Sequence, residues 1–219
     1  MSQPPLTLIV AATTKNGIGK GGGLPWPMLK KEMAYFARVT KRVPKALHPQ
    51  SDTSKKVQNV VIMGRKTWDS IPPKLRPLKE RINIIITRQS LDSFATSHKD
   101  VIVAGSIEDG IAQLANKTSD DAAVSPGRYY IIGGSSIYEA ALRLPNRKNI
   151  LLTRIQKEYD CDTSFPINLD SDKATGEGWK KKSNAELSNF VEEDVEDQDM
   201  EETAGDEEVR YRFTLYEQE

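Results

Sequence analysis

The sequence predicts an α/β fold: a single domain with a central mixed, mostly parallel β-sheet, flanking helices and a C-terminal antiparallel strand pair. Two patterns predict it. Short Val/Ile-rich runs bounded by turn residues recur along the chain, and amphipathic stretches of helical period separate them up to about residue 155. Such runs read as strands buried on both faces, and their alternation with helices is the pattern of parallel strands joined by crossovers. A chain of 219 residues with one cysteine suits one domain with ample core, and leaves no intramolecular disulfide and no multi-cysteine zinc site.

The first strand is expected at residues 6–12. After it, Gly17-Ile18-Gly19-Lys20-Gly21-Gly22 matches G-x-G-x-x-G, but the dinucleotide fingerprint also needs a helix opening at those glycines and an acid ending the next strand. Pro25 and Pro27 delay the helix to about Met28, and the next strand ends at Met63-Gly64 without an acid, so the Rossmann reading is rejected. What remains is a flexible glycine-rich loop with an apolar Leu24-Pro25-Trp26 end, suited to a lid over a flat ligand.

A helix follows at 28–40, with Pro27 at a first helical position and Leu29, Met33, Phe36 and Thr40 on one face. Glu32 falls inside that face. A carboxyl on an apolar face must be paired, protonated or functional, because desolvation penalises its charged form. The alternatives are an acid favoured by the helix dipole and a boundary position that reaches solvent. Residues 41–56 are polar and aperiodic and read as a surface loop.

The strand at 57–63 runs into Gly64-Arg65-Lys66-Thr67-Trp68 and a helix at 65–71, and the strand at 82–87 ends on Thr87-Arg88. Cations and hydroxyls where parallel strands end suit a phosphorylated ligand. Arg81, ahead of that strand, either decorates the surface or takes a substrate carboxylate bidentately. A strand at 101–104 and a helix at 107–116 come next. Then Gly133-Gly134-Ser135-Ser136 joins a strand at 129–132 to a helix at 135–144, either as a tight turn or as a close backbone approach to a pyrophosphate. The strand at 150–155 ends the alternation, and strands at 179–184 and 209–216 flank an acidic segment.

Lys+Arg and Asp+Glu both number 31, and zero net charge argues against a nucleic-acid or membrane-surface partner. The zero is a cancellation. Residues 183–209 hold 12 acids and no Lys or Arg, leaving residues 1–182 with 29 basic against 17 acidic side chains. Residues 186–208 are therefore expected to form an acidic, mobile insert between the last two strands, and deletion of residues 192–208 is expected to leave activity near normal if the insert is a passive loop. His48 and His98 have no ligand spacing, so no metal is expected. The start MSQPPLTLIV lacks the basic region and long apolar run of a signal peptide, so a reduced, cytoplasmic protein is expected.

Taken together, I-V-A-A, N-G-I-G-K-G-G-G-L-P-W-P, K-K-E-M-A-Y-F, V-I-M-G-R-K-T-W-D-S-I-P, R-P-L-K-E-R-I-N-I-I-I-T-R, I-I-G-G-S-S-I-Y, L-T-R-I, D-C-D-T-S-F-P and R-Y-R-F-T-L-Y, in this order, closely resemble the dihydrofolate reductase family in its eukaryotic, fungal-looking monofunctional form. The resemblance runs from about residue 6 to residue 216, and makes residues 1–219 one domain of that type. It implies NADPH-dependent hydride transfer to C6 of dihydrofolate with protonation at N5. It also implies a place in one-carbon metabolism, sensitivity to antifolate inhibitors and a monomer with neither nucleic-acid nor membrane partner in its main role.

The resemblance makes Glu32 the ionisable group of the pterin pocket, with Trp26 and Thr153 binding the associated water and Glu32 itself. Val10, Met33, Phe36, Ile71 and Leu78 match pocket-wall positions, Ile9 and Ile132 offer carbonyls at the pterin edge, Tyr138 adjoins both ligands, and Arg81 matches the partner of the glutamate α-carboxylate. On the cofactor side, Ala11 and Ile18 match backbone contacts to the nicotinamide amide, Gly19 matches a further cofactor-binding position, and Arg65, Lys66, Thr67, Thr87 and Arg88 match the adenosine-phosphate cluster. Gly133, Gly134, Ser135, Ser136, Ile137 and Tyr138 match the pyrophosphate turn, where family members have a cis Gly133–Gly134 peptide.

Three positions depart from the vertebrate pattern: Met33 where Phe is frequent, Arg65 where Lys is, and Gly105 where a further phosphate-binding Arg is common. Two other readings compete. One is another NADPH-dependent reductase of a pterin or flavin pathway on the same fold, which has no need of Glu32 and Arg81 together. The other is a non-catalytic binder of anionic ligands, motivated by the basic excess of residues 1–182.

Overall fold

Apolar runs become strands here because a segment buried on both faces can satisfy its backbone only in a ladder. The computed structural model describes residues 3–47, 56–89, 101–118 and 124–218. Its main sheet is mixed and nine-stranded, beside a separate two-stranded ribbon. The residues group into two compact units, a terminal unit (Met1–Val39 with Pro145–Glu219) and a central unit (Thr40–Leu144).

In chain order the elements are β1 (Leu6–Thr13), β2 (Gly17–Gly19), α1 (Lys30–Lys41), β3 (Lys56–Gly64), α2 (Arg65–Ser70), β4 (Ile82–Ile86), β5 (Val101–Ala104), α3 (Ile107–Lys117), β6 (Val124–Ile131) and α4 (Ser135–Arg143). They continue with β7 (Lys148–Ile155), β8 (Thr163–Ser164), α5 (Asp172–Gly176), β9 (Trp179–Lys181), α6 (Asn184–Val191), β10 (Met200–Ala204) and β11 (Glu207–Gln218).

In the terminal unit the strand order is β10-β11-β7-β1, with β9 also on β11. β1 and β7 are parallel, and β11 is antiparallel to β7, β9 and β10. The registers align Ala11 with Thr153 and Thr153 with Phe213, so these three side chains stand in one row on one face. In the central unit β6-β3-β4-β5 are all parallel, so their carboxyl ends share one edge. That edge is where open α/β sheets bind ligands.

Three expectations need correction. Helix α1 starts at Lys30, so Pro27 stands ahead of it rather than at its first position. Its buried side is Leu29, Glu32, Tyr35, Val39 and the expected Thr40, while Met33 is 42% exposed, because Tyr35 rather than Met33 lies at the centre of the inward arc. The third correction is the largest. The acidic segment forms α6 and β10 rather than a core-poor loop, with Leu187, Val191 and Val195 buried.

The physical reasons are local. Ser183 and Glu186 form a capping box that starts α6, and β10 pairs along β11 from Met200↔Tyr211 to Ala204↔Glu207. Cations of the terminal unit pair with three of the segment's acids: Arg38 takes Glu193 through two nitrogens at 3.1 Å, Arg212 takes Asp199 at 2.6 Å and Arg210 takes Glu201 at 2.8 Å. Of the expected surface loop 41–56, residues 48–55 lie outside the described residues, as do His48 and His98.

Candidate active site

The prolines before α1 keep the chain out of the helix until Lys30, and Met33 N–H then donates to the Leu29 carbonyl at 2.9 Å. Tyr35 stacks on Phe213, ring centres 3.8 Å apart. That contact lays α1 on the sheet face carrying the Ala11–Thr153–Phe213 row, and turns Glu32 toward it. The Thr153 hydroxyl donates to Glu32 Oε1 at 3.1 Å, and Glu32 is 8% exposed.

Burial pushes the Glu32 pKa up to about 7; the Thr153 hydrogen bond opposes the shift and the nearby Glu202 carboxylate adds to it. A carboxyl balanced near neutrality can hold a proton and release it, which suits general-acid work at physiological pH. Around it, Trp26 is buried edge-on to Tyr159 at 5.9 Å and packs with Leu29, Ile155, Val209 and Tyr211, while Ala11 lines the same cluster. Ile9 and Val10 are buried in β1, and Ile18 and Gly19 in β2 are half-buried.

The carboxyl edge of the central unit carries the residues expected at the cofactor's phosphates. Gly64 N–H donates to the Gly133 carbonyl at 2.7 Å, joining the β3–α2 turn to the β6–α4 turn. A Cβ on Gly134 would come 3.4 Å from the Thr67 hydroxyl, and one on Gly64 would stand 3.0 Å from Ile137. Gly133, at φ +112°, is in a region that favours glycine, and the Gly133–Gly134 peptide is cis. No side chain caps α4 from Gly134, and a helix N-terminus at such a turn suits an anion.

Arg65 and Lys66 open α2 beside this cradle, where Arg65 is paired to Asp69 at 2.7 Å, an exposed bond a phosphate can compete for. Thr87 is buried at the end of β4, and Arg88 is exposed beyond it. Gly105 N–H donates to Asp109 Oδ2 at 3.1 Å, so a carboxylate stands at the position where a cation is missing. This combination of glycine cradle, helix N-terminus and cations fits a dinucleotide phosphate.

Arg81 is held at the head of β4. Its Nη1 donates to Thr40 Oγ1 at 2.8 Å and its Nε to the Lys79 carbonyl at 3.0 Å. Desolvation lowers its pKa to about 10, and Glu80 opposes the shift. Leu78 and Arg81 line an open cavity of about 490 Å³.

Sequence reasoning missed the residue that shapes this arm. Asn83 is buried, accepts from Leu78 N–H at 2.9 Å, and donates to the carbonyls of Leu78 and Arg81, each at 2.9 Å. An Asn inside the Ile-rich run I-N-I-I-I was its signal, since a buried amide must be satisfied. Asn59 does the same for the end of α1, donating to the carbonyls of Thr40 and Arg42 at 3.1 and 2.7 Å.

The structure thus brings Glu32, Thr153, Trp26 and Ala11 together in the terminal unit. In the central unit it gathers Gly64, Arg65, Thr67 and Gly133 through Tyr138, with Ile132 N–H on the Ile62 carbonyl and Tyr138 buried against Gly133. Phe36 and Ile71 are half-buried. Among the described residues no group of three or more His, Cys, Asp or Glu side chains is placed to hold a metal, and no helix is long and apolar enough to cross a membrane.

Comparison with known proteins points one way. The family model described as dihydrofolate reductase matches residues 51–217. A dihydrofolate reductase of Schizosaccharomyces pombe is 42% identical over 218 residues, covering 96% of this chain but only 46% of that protein's length. One from Pneumocystis carinii is 42% identical over 190 residues, covering 86% of each chain, and one from Sus scrofa 36% over 214 residues, covering 97% of each. The solved dihydrofolate reductase of Schistosoma mansoni superposes with a TM-score of 0.73 at 32% identity, over 100% of both chains.

Proposed function

The chain belongs to the dihydrofolate reductase family, and from that premise we infer that it catalyses the NADPH-dependent reduction of 7,8-dihydrofolate to 5,6,7,8-tetrahydrofolate, supporting one-carbon metabolism. The observation that carries the reading is the buried Glu32 carboxyl, held by Thr153 and poised near neutrality. NADPH, when bound, supplies the hydride that C6 receives.

The chain's own part is to bind, orient and protonate. Glu32 takes the 2-amino and N3 edge of the pterin and supports proton delivery to N5 through water, in a pocket where Trp26 and Thr153 fix the carboxyl and the water. Ile9 and Ile132 carbonyls hold the pterin edge. Val10, Met33, Phe36, Ile71 and Leu78 wall the ring system, with Tyr138 beside both ligands. Arg81, its guanidinium already oriented by Thr40, takes the glutamate carboxylate.

Ala11 and Ile18 hold the nicotinamide amide, with Gly19 also on the cofactor. Arg65, Lys66, Thr67, Thr87 and Arg88 bind the adenosine phosphate, and Gly133, Gly134, Ser135, Ser136 and Ile137 the pyrophosphate. The enzyme works as one domain over residues 1–219, as a cytoplasmic monomer open to antifolates.

The test is loss of NADPH absorbance on adding dihydrofolate to the purified chain. Rapid oxidation is expected; none at saturating substrate would sink the reading. Oxidation with a flavin-pathway or other pterin substrate alone would favour the reductase alternative.

A further inference from the structure

Glu202 stands out as a carboxylate that the reaction does not use. It lies on β10 within the acidic segment, yet it is only 8% exposed. Its antiparallel partner is Val209, so alternation along β10 points Met200, Glu202 and Ala204 to the face that packs on Trp26, Leu29, Val209 and Tyr211. Both of its oxygens accept from the backbone N–H of Lys31, at 3.0 and 3.1 Å, and Tyr211 Oη donates to Oε2 at 3.1 Å. Lys31 is the second residue of α1, where a backbone N–H has no partner within the helix and where the dipole favours an anion. The next residue is Glu32.

We propose that Glu202 is a positioning residue for the reaction: it anchors the start of α1 through the Lys31 N–H and sets a second negative charge beside Glu32, so that the acidic segment governs how tightly the catalytic carboxyl holds its proton. The proposal rests on the reading of Glu32 as the acid serving N5.

The groups around Glu202 leave it little else to do. From α1 come the Lys31 N–H and Glu32, while the Lys31 ammonium turns to the Glu201 carbonyl at 3.4 Å. From β11 comes the Tyr211 hydroxyl, while Arg210 pairs with Glu201 at 2.8 Å and stands 3.6 Å from Glu208. Burial first, then Glu202 and Glu32, push the Tyr211 phenol up, so it donates a proton rather than ionising. Tyr211 meets Phe213 edge-on at 5.5 Å, and Phe213 stacks on Tyr35 of α1, which fixes the whole arrangement. A negative charge in that low-dielectric cluster disfavours ionisation of Glu32.

The experiment follows the Glu32 carboxyl directly, by 13C NMR titration of protein labelled at glutamate and assigned with Glu32→Gln, alongside the pH profile of turnover. In Glu202→Gln, which keeps the shape and one acceptor but removes the charge, the Glu32 midpoint should fall by about half a pH unit or more. Turnover should then decline at correspondingly lower pH. Tyr211→Phe should move the midpoint upward, since the Glu202 carboxylate loses the donor that spreads its charge.

Glu201→Gln, an exposed neighbour on the same strand, should leave both readouts unmoved. If Glu202→Gln fails to fold, Tyr211→Phe still decides. A Glu32 titration unchanged in the folded variants overturns the proposal, even where their melting temperatures fall. A titration that moves while the turnover profile stays fixed supports the coupling and overturns instead the acid role of Glu32.

Discussion

The terminal unit carries 15 Lys+Arg against 21 Asp+Glu, and the central unit 16 against 10, so a chain of zero net charge is made of a net −6 body and a net +6 body. Their polar sites differ in the same sense. The terminal unit buries one carboxyl in an aromatic cluster beside a second carboxylate, and pairs several of its other acids with surface cations. The central unit leaves cations and helix N–H groups at the open edge of parallel strands. A proton reservoir needs low dielectric and negative neighbours; a phosphate site needs accessible positive charge. The sign of each body matches the chemistry we propose for it.

The most severe test of that contrast is to delete residues 192–208. This removes β10, Val195, Glu202 and the partner of Arg38, so folding should be lost, or stability should fall by more than about 4 kcal/mol, beyond the usual range for single substitutions. A thermal melt by circular dichroism reads it. A folded, fully active deletion would return the segment to the passive loop that its composition suggests.

Next comes Glu32→Gln, which should lower turnover at neutral pH by about 10²–10⁴-fold. Stability should move the other way. The Glu32 carboxyl, with its pKa raised from 4.5 to about 7, stays protonated in the folded state while the unfolded chain ionises. Its contribution is therefore full below pH 4.5 and is lost as pH rises to about 7. Relative to wild type, the neutral amide should gain up to about 3 kcal/mol at pH 8 and little below pH 4.5, read by urea melts at both values. Equal melts at the two pH values would mean that Glu32 is solvated.

Arg81→Ala probes the central unit, and should weaken folate binding by about 2–5 kcal/mol while NADPH affinity changes little, as titration calorimetry can separate. Equal losses for both ligands would contradict its assignment to the glutamate carboxylate. The smallest effect is expected at the surface. Glu193→Gln loses the pair with the half-exposed Arg38 and should cost about 1 kcal/mol or less, with turnover unchanged.

The parallel strands were legible because burial on both faces writes itself as unbroken Val/Ile runs, as at 60–63 and 84–86. Glu32 was legible as a misfit, an acid on an apolar arc. The same reasoning chose Met33 over Tyr35, since i+3 and i+4 spacings alone do not say which side of the arc a partner ring will occupy.

Glu202 was hidden by its neighbours. Among so many acids it read as solvated, although the period-2 set Met200, Glu202, Ala204 marked an inward face. The Ser183–Glu186 capping box was likewise present in the letters S-N-A-E. Asn83 and Asn59 could be found only by asking what a buried amide would bind.

The row Ala11–Thr153–Phe213 also bears on biosynthesis. Glu32 leaves the ribosome long before its surroundings exist: Thr153 lies 121 residues further on, and Glu202, which caps the helix at Lys31, 171 beyond that lysine. Contacts of such separation form late. Until β10 and β11 have been synthesised, Glu32 is an ordinary hydrated carboxylate on an unanchored segment, while the sequence of the central unit, residues 40–144, is already complete. The buried setting that raises the Glu32 pKa is therefore among the last features a nascent chain acquires, and a prematurely terminated product carries the carboxyl without that setting.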